Sequence, residues 1–181
     1  MEPRQYEIIK GEKYNMSPVG YSHSKAEKKL KPLLDSLITL KKLDSEFESA
    51  WDTWTIAKDG NKIAPDYAVY KAPISRDGET ITDNPIFVME VLSPSTRAKD
   101  LTVKKDLYGN LGVSEYWIVD PISKFIDVYK TTAAGSLDRV GIYQMFDKNE
   151  WDYMTDEDKA EHQQVIHIDF INMDVDIKDL F

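Results

Sequence analysis

Glu90 interrupts Ile86-Phe87-Val88-Met89-Glu90-Val91-Leu92, a run that is otherwise apolar from end to end. If this run is a strand, alternation puts the Glu90 side chain on the face of Val88 and Leu92. A carboxylate buried there costs several kcal/mol unless it is paired, protonated or bound to a cation. It is therefore either a strand-end glutamate neutralised by a lysine or arginine, or a cation ligand. Asp66 poses the same question one strand earlier. It follows Pro65 and shares a face with Ala68 and Tyr70, as an ordinary strand-start aspartate or as a second carboxylate. The third group comes from a helix whose apolar stripe is Leu101, Leu107, Tyr108 and Leu111. At about 100° per residue, Lys104 falls near the middle of that stripe and Lys105 on its flank. A lysine aimed at a core must snorkel out or meet an acid, and a rotated helix would leave both lysines solvated. Two carboxylates suffice for Mg²⁺, which keeps several waters and accepts a substrate phosphate. A nearby ammonium can stabilise phosphorane charge or position the attacking water. Phosphodiester hydrolysis needs those parts and no nucleophilic side chain.

These residues need elements to hold them. Tyr6–Ile9 and Lys13–Met16 around Gly11-Glu12 predict an N-terminal hairpin. From Ser22 a helical pattern follows, with Ala26, Leu30, Leu33, Leu34 and Leu37 on one face and Ser24–Glu27 as a capping box. Pro32 inside it predicts a kink. Phe47–Ala57 and Ile63–Tyr70 read as strands, 71–85 as a loop, and Ile86–Leu92 as a central strand covered on both faces. A helix over about Lys99–Leu111, closed by Gly112, leads to strands Glu115–Val119 and Phe125–Lys130. Ile142–Phe146 and Val165–Ile171 read as further strands flanking an acidic turn or short helix at 150–162. Strand, helix, strand in mid-chain implies a right-handed crossover between parallel strands. The fold class is α/β (α+β), a mixed β-sheet flanked by helices, with an N-terminal hairpin and extra C-terminal strands.

The 181 residues fit one domain, 1–181. Hydrophobic residues make up 41% and charged residues 30%, enough for a core under a solvated surface. The absence of cysteine excludes disulfides, thiolate metal sites and cysteine nucleophiles. No apolar run reaches the ~20 residues of a membrane span, and the first residues lack the apolar core of a signal peptide, so a cytoplasmic protein is expected. The net charge of −9 argues against nucleic acid at first sight. Position changes that reading. Residues 1–146 carry 20 basic and 21 acidic side chains, whereas 147–181 carry 3 and 11. The acidity belongs to a C-terminal extension of the same domain, expected to lie away from the cleft.

Pro65-Asp66, Phe87–Thr96 (FVMEVLSPST), Asp100-Leu101 with Lys104 and Tyr108, and Gly112–Pro121 (GVSEYWIVDP) together resemble the Uma-two family. These are restriction-endonuclease-like proteins of the PD-(D/E)XK nuclease superfamily. Met16-Ser17-Pro18 with His23 and, more loosely, Ile168–Phe181 extend the resemblance over most of the chain. The resemblance implies a restriction-endonuclease-like core, Asp66 and Glu90 as Mg²⁺ ligands (Mn²⁺ as a substitute), and the Val91 backbone carbonyl as a further ligand. Where the superfamily motif has lysine, this chain has Leu92. The family takes that function from the helix, and Lys104 matches it. His23 matches a recurrent histidine, a candidate for metal or phosphate and equally an ordinary helix-start residue. Tyr108 and Glu115-Tyr116-Trp117 match as core and sheet residues, and Ser93 and Ser95 as capping residues.

The function implied is a Mg²⁺-dependent endonuclease that hydrolyses DNA with an activated water, as a homodimer by analogy with enzymes that cut both strands. The basic residues available for phosphates are Lys25, Lys28, Lys29 and Lys31 on the first helix, Lys41 and Lys42 after it, and Arg97, Lys99 and Lys105 around the second. Lysines on the back of an amphipathic helix are as readily a solvated face. Two rivals stand beside this one: a non-catalytic module with the same fold and an acidic surface for a protein partner, and a metal-dependent hydrolase of another phosphate ester.

Overall fold

The structure, a computed structural model, describes residues 5–16 and 18–181, and of Glu161 only the backbone. The chain opens with the hairpin β1 (Tyr6–Ile9) and β2 (Glu12–Asn15), then the long helix α1 (Tyr21–Leu40). Strands β3 (Phe47–Trp51), β4 (Thr55–Ile56), β5 (Lys62–Ile63), β6 (Tyr67–Lys71), β7 (Arg76–Asp77), β8 (Thr80–Ile81) and β9 (Phe87–Val91) follow. A helical crossover then combines α2 (Arg97–Lys99), a π-helical turn (Asp100–Lys104) and α3 (Lys105–Asn110). The remainder is β10 (Glu115–Asp120), β11 (Phe125–Thr131), β12 (Leu137–Gln144), α4 (Lys148–Tyr153), α5 (Asp156–Glu161), β13 (Val165–Ile168), β14 (Met173–Asp176) and α6 (Ile177–Leu180).

The main sheet has the order β12-β11-β10-β9-β6-β3, and a smaller one the order β2-β1-β5-β4-β8-β7. In the main sheet β9 and β10 are parallel, joined by the helical crossover, and every other neighbour is antiparallel. Alternation decides what each face meets. Tyr67, Val69, Phe87, Met89, Val91, Trp117 and Val119 pack against α1 and the C-terminal residues Ile166–Leu180. Ala68, Tyr70, Val88, Leu92, Tyr116 and Ile118 face the small sheet and the crossover helix. The mixed α/β character, the N-terminal hairpin and the extra C-terminal strands are those the sequence predicts. Among the described residues, no helix is long and apolar enough to cross a membrane.

Several details depart from the sequence patterns. Helix α1 starts at Tyr21 behind Gly20 and has no side-chain cap, so Ser24 and Glu27 are not its capping box. It continues through Pro32 without interruption. The strand expected over Phe47–Ala57 is broken into β3 and β4, and that over Ile63–Tyr70 into β5 and β6, each pair feeding two different sheets. The loop at 71–85 contains the small hairpin β7–β8. The acidic 150–162 segment forms α4 and α5, each with a capping box at Asp147 and Thr155.

Candidate active site

The carboxylates converge because of register. Tyr67 pairs with Met89 and Ala68 with Val88, so one further step sets Asp66 opposite Glu90. Asp66 is fixed through one oxygen. Its Oδ2 accepts the Val91 backbone N–H at 2.7 Å and a hydrogen bond from His23 Nε2 at 3.1 Å. Asp66 Oδ1 carries no hydrogen bond among the described residues. Glu90 is fixed the same way. Its Oε1 accepts from Lys104 Nζ at 2.7 Å and from the Tyr108 hydroxyl at 2.6 Å, and Oε2 takes no hydrogen bond among the described residues. Two carboxylates thus keep one free oxygen each in the same cleft. That cleft, about 50 Å³, is lined by Asp66, Glu90, Val91, His23, Lys104 and Lys99, with Glu7 and Thr96 beside them. Larger surface grooves, up to 430 Å³, do not contain these groups.

The helix behind the cleft supplies the cation that the strand needs. Lys104 is buried and lies 3.1 Å from Glu7 Oε1 and 3.8 Å from Asp100 Oδ1, besides its bond to Glu90. Burial alone would lower its pKa, but Glu90, Glu7 and Asp100 outweigh burial and hold the ammonium charged. The three carboxylates share this charge unequally. Burial raises the Glu90 pKa to about 8, with Lys104 opposing and Asp66, Asp100 and Glu7 adding their repulsion. Burial works the same way on Glu7, yet Lys104 and Lys99 overcome it and leave Glu7 below the usual range. Asp100 is raised, mainly by burial, and its Oδ1 has no hydrogen-bond partner among the described residues. Glu90, held above its ordinary pKa by burial and by its acidic neighbours, is a carboxylate that a divalent cation would stabilise in its charged form.

His23 lies between two acids. Nε2 faces Asp66, and Nδ1 lies 3.2 Å from Glu27, which also contacts Lys31 Nζ at 2.5 Å. Burial would lower the imidazole pKa, but Asp66 and Glu27 outweigh it and raise it to about 10. His23, Glu27 and Asp66 have ligand atoms close enough to surround an ion. The ring is nevertheless interposed between the two carboxylates, with one nitrogen turned to each. In this arrangement it orients Asp66 as an outer partner of a ligand would.

The profile of the Uma2 family, described as "Putative restriction endonuclease", matches residues 1–151. The chain belongs to the Uma2 family. A search of the curated proteins finds no match. Among solved structures the Uma2 chain is similar to one from Anabaena variabilis described as "a putative nuclease belonging to DUF820". The two share 16% identity over 99% of this chain and 92% of that one, with a TM-score of 0.69, which shows that they have the same fold. Family and fold together support a nuclease.

The structure brings together Asp66, Glu90, Lys104, Val91 and His23 of the residues singled out in the Uma2 sequence. The basic residues divide. Lys25, Lys28 and Lys29 are exposed, and no salt bridge among the described residues engages them. Lys31, by contrast, is buried against Glu27 and Asp52, so it is not part of a phosphate-facing surface. Arg97 is bonded to Asp120, Lys99 to Glu7, and Lys105 lies over the Tyr129 ring. Tyr108, read as packing, also donates to Glu90. Glu7 escapes the sequence reading altogether, while Glu27 enters it only as a capping residue and Asp100 only as part of the motif shared with the family. The only local trace of Glu7 is a lone acid alternating with apolar residues in Tyr6–Ile9, a common surface pattern.

Proposed function

We propose that this protein is a divalent-cation-dependent endonuclease that hydrolyses DNA phosphodiester bonds with an activated water. The observation that carries this is the pair of free oxygens, Asp66 Oδ1 and Glu90 Oε2, in a cleft that also holds the Lys104 ammonium. Asp66 and Glu90 would hold Mg²⁺ or Mn²⁺, with the Val91 carbonyl as a further oxygen donor. The ion, when bound, supplies Lewis-acid polarisation of the phosphate and a more acidic water. His23 and the Val91 N–H orient Asp66, Tyr108 orients Glu90, and Lys104 presents positive charge to the developing phosphorane. Among the described residues, none lining this cleft belongs to the acidic 147–181 segment. DNA can therefore approach without meeting it at the cleft. Cutting both strands of a duplex would pair two copies of the chain.

The test is conversion of supercoiled plasmid to nicked and linear forms with Mg²⁺ or Mn²⁺. Cutting should appear with the ion, stop with EDTA, and be absent in Glu90→Ala. No cutting with either ion, or cutting that survives Glu90→Ala, would refute the assignment.

Lys25, Lys28 and Lys29 are the exposed cations of α1 and the proposed phosphate contacts. Changing all three to alanine should reduce the slope of log K against log salt by about 3, since each phosphate contact contributes roughly 0.9. Fluorescence anisotropy of labelled DNA over a salt series measures this, and an unchanged slope would remove α1 from the interface.

A further inference from the structure

Lys104 has two anchors from different parts of the fold. Glu90 lies on the central strand β9, and Glu7 lies on β1 in the N-terminal hairpin, 97 positions earlier in the chain. We propose that Glu7 is a positioning residue, which keeps the Lys104 ammonium in the cleft when Glu90 turns its charge to a cation. The proposal rests on the cation-binding reading of Asp66 and Glu90.

Glu7 is itself fully committed. Oε1 accepts the Ala64 backbone N–H at 3.2 Å and faces Lys104, while Oε2 accepts from Lys99 Nζ at 2.6 Å. Unlike Asp66 and Glu90, it has no oxygen left over for an ion. The strand that carries it is pinned on both sides, by β2 and by the pairing of Ile8 with Lys62, and the next residue but one, Ile9, is buried in the core.

The π-helical turn explains how one carboxylate reaches both lysines. In a regular α-helix, residues five apart are about 140° apart around the axis, so Lys99 and Lys104 would point away from each other. The Asp100–Lys104 turn is π-helical, and its wider i→i+5 turn brings residues five apart nearer to one side than a regular α-helix does. Glu7 sits where those two side chains meet. The same turn keeps Lys104 over Glu90 and Asp100.

Glu90 cannot serve a cation and remain the sole tether of Lys104. Its one shared oxygen already takes Lys104 and Tyr108, and an ion bound to the other draws on the same charge. A lysine on a four-carbon stem regains much rotamer freedom once untethered. Glu7 removes that freedom without competing for the ion.

Lysine acylation by an N-hydroxysuccinimide ester, followed at Lys104 by peptide mass spectrometry with exposed Lys25 as internal reference, reads this directly. In Glu90→Gln, Lys104 should stay as protected as in the wild type, because Glu7 still holds it. In the Glu7→Gln/Glu90→Gln double variant its modification should rise about tenfold or more as the local structure opens. In Glu7→Gln alone it should rise similarly once Mg²⁺ is saturating. Calorimetry should show Mg²⁺ affinity nearly unchanged in Glu7→Gln, and nicking should show kcat lowered by about ten- to a hundredfold at unchanged KM, as for outer-shell partners. Should Glu7→Gln not fold, Glu7→Asp, which withdraws the charge by one methylene, replaces it in every arm. Full exposure of Lys104 in Glu90→Gln alone, protection in the double variant, or loss of Mg²⁺ affinity in Glu7→Gln as large as in Glu90→Gln would each overturn the proposal. A wild type that binds no ion refutes the cation reading instead, and the metal-free comparison of Glu90→Gln with the double variant still decides the role of Glu7.

Discussion

Asp66→Asn should lower the rate of plasmid nicking about a thousandfold or more, because an ion's contribution of several kcal/mol is lost at about 1.4 kcal/mol per factor of ten. The substitution nearly preserves shape, so stability should hardly change. In the wild type Oδ2 accepts from His23 and from the Val91 N–H, and Oδ1 takes no hydrogen bond among the described residues. An asparagine keeps those two contacts only by placing its carbonyl oxygen where Oδ2 was. Its amide NH₂ then occupies the place of Oδ1. A donor stands where a cation ligand is needed, and no flip of the amide repairs this without turning the donor onto the Val91 N–H. Mg²⁺ affinity by calorimetry should fall together with activity, while the melting temperature stays within a few degrees, below the shift of roughly 1 kcal/mol in a domain of this size. A variant that keeps activity within about tenfold of wild type, a change worth only ~1.4 kcal/mol, would show that Asp66 is not a ligand.

Lys104→Met should be the most destabilising change in the cleft, by about 3–5 kcal/mol, the cost of removing one partner from a buried ion pair. Methionine fills much of the same volume, so the cost is electrostatic. Glu90, Glu7 and Asp100 are all nearly inaccessible and all meet the Lys104 ammonium. Lys99 still serves Glu7, whereas Glu90 keeps only the Tyr108 hydroxyl. The sign of the pH dependence follows. The Glu90 pKa already lies above its ordinary value, at about 8, and rises further without the ammonium. A carboxyl whose folded pKa exceeds its unfolded value of about 4.3 binds the proton more tightly when folded, so stability falls as pH rises through that interval. The penalty of Lys104→Met should be smaller near pH 5, where Glu90 is protonated, and largest at pH 8 and above. Urea unfolding at the two pH values measures it, and a penalty independent of pH would refute the buried-carboxylate account. Adding Glu90→Gln should recover part of the loss, because a neutral amide needs no counter-ion.

The sequence patterns reached unequal depths. Alternation in Ile86–Leu92 sets Glu90 on an apolar strand face, the stripe around Leu107 and Tyr108 sets Lys104 on an apolar helix face, and in the structure the two are 2.7 Å apart. The helix is not regular there. The π-helical turn at Asp100–Lys104 was invisible in the sequence, because Lys104 still falls among apolar neighbours with or without the extra residue in the turn. The strand breaks at Asp52–Trp54 and Ala64–Asp66 leave no local mark, because both sides read as strand. What separates them is which sheet each half joins. Lys31 looked like its exposed neighbours Lys28 and Lys29, and only the positions of Glu27 and Asp52 set it apart.

By itself, then, the sequence determined the face each residue occupies, since periodicity is a local property of a backbone with repeats of 2 and 3.6 residues. It determined that Glu90 interrupts an apolar strand, that Lys104 falls within an apolar helical stripe, that Asp66 stands at the head of a neighbouring strand, and that the acidity is gathered in 147–181. Tertiary structure decided which groups meet. The partners of Asp66, Lys104 and Lys99 include His23 and Glu7, 43, 97 and 92 positions away along the chain respectively. Contacts at such separations depend on sheet order, on register and on one inserted helical residue. A single step in any of these moves a side chain by a strand or about 100° around a helix. No local pattern records those choices, and they are what turn separate charged residues into one cleft.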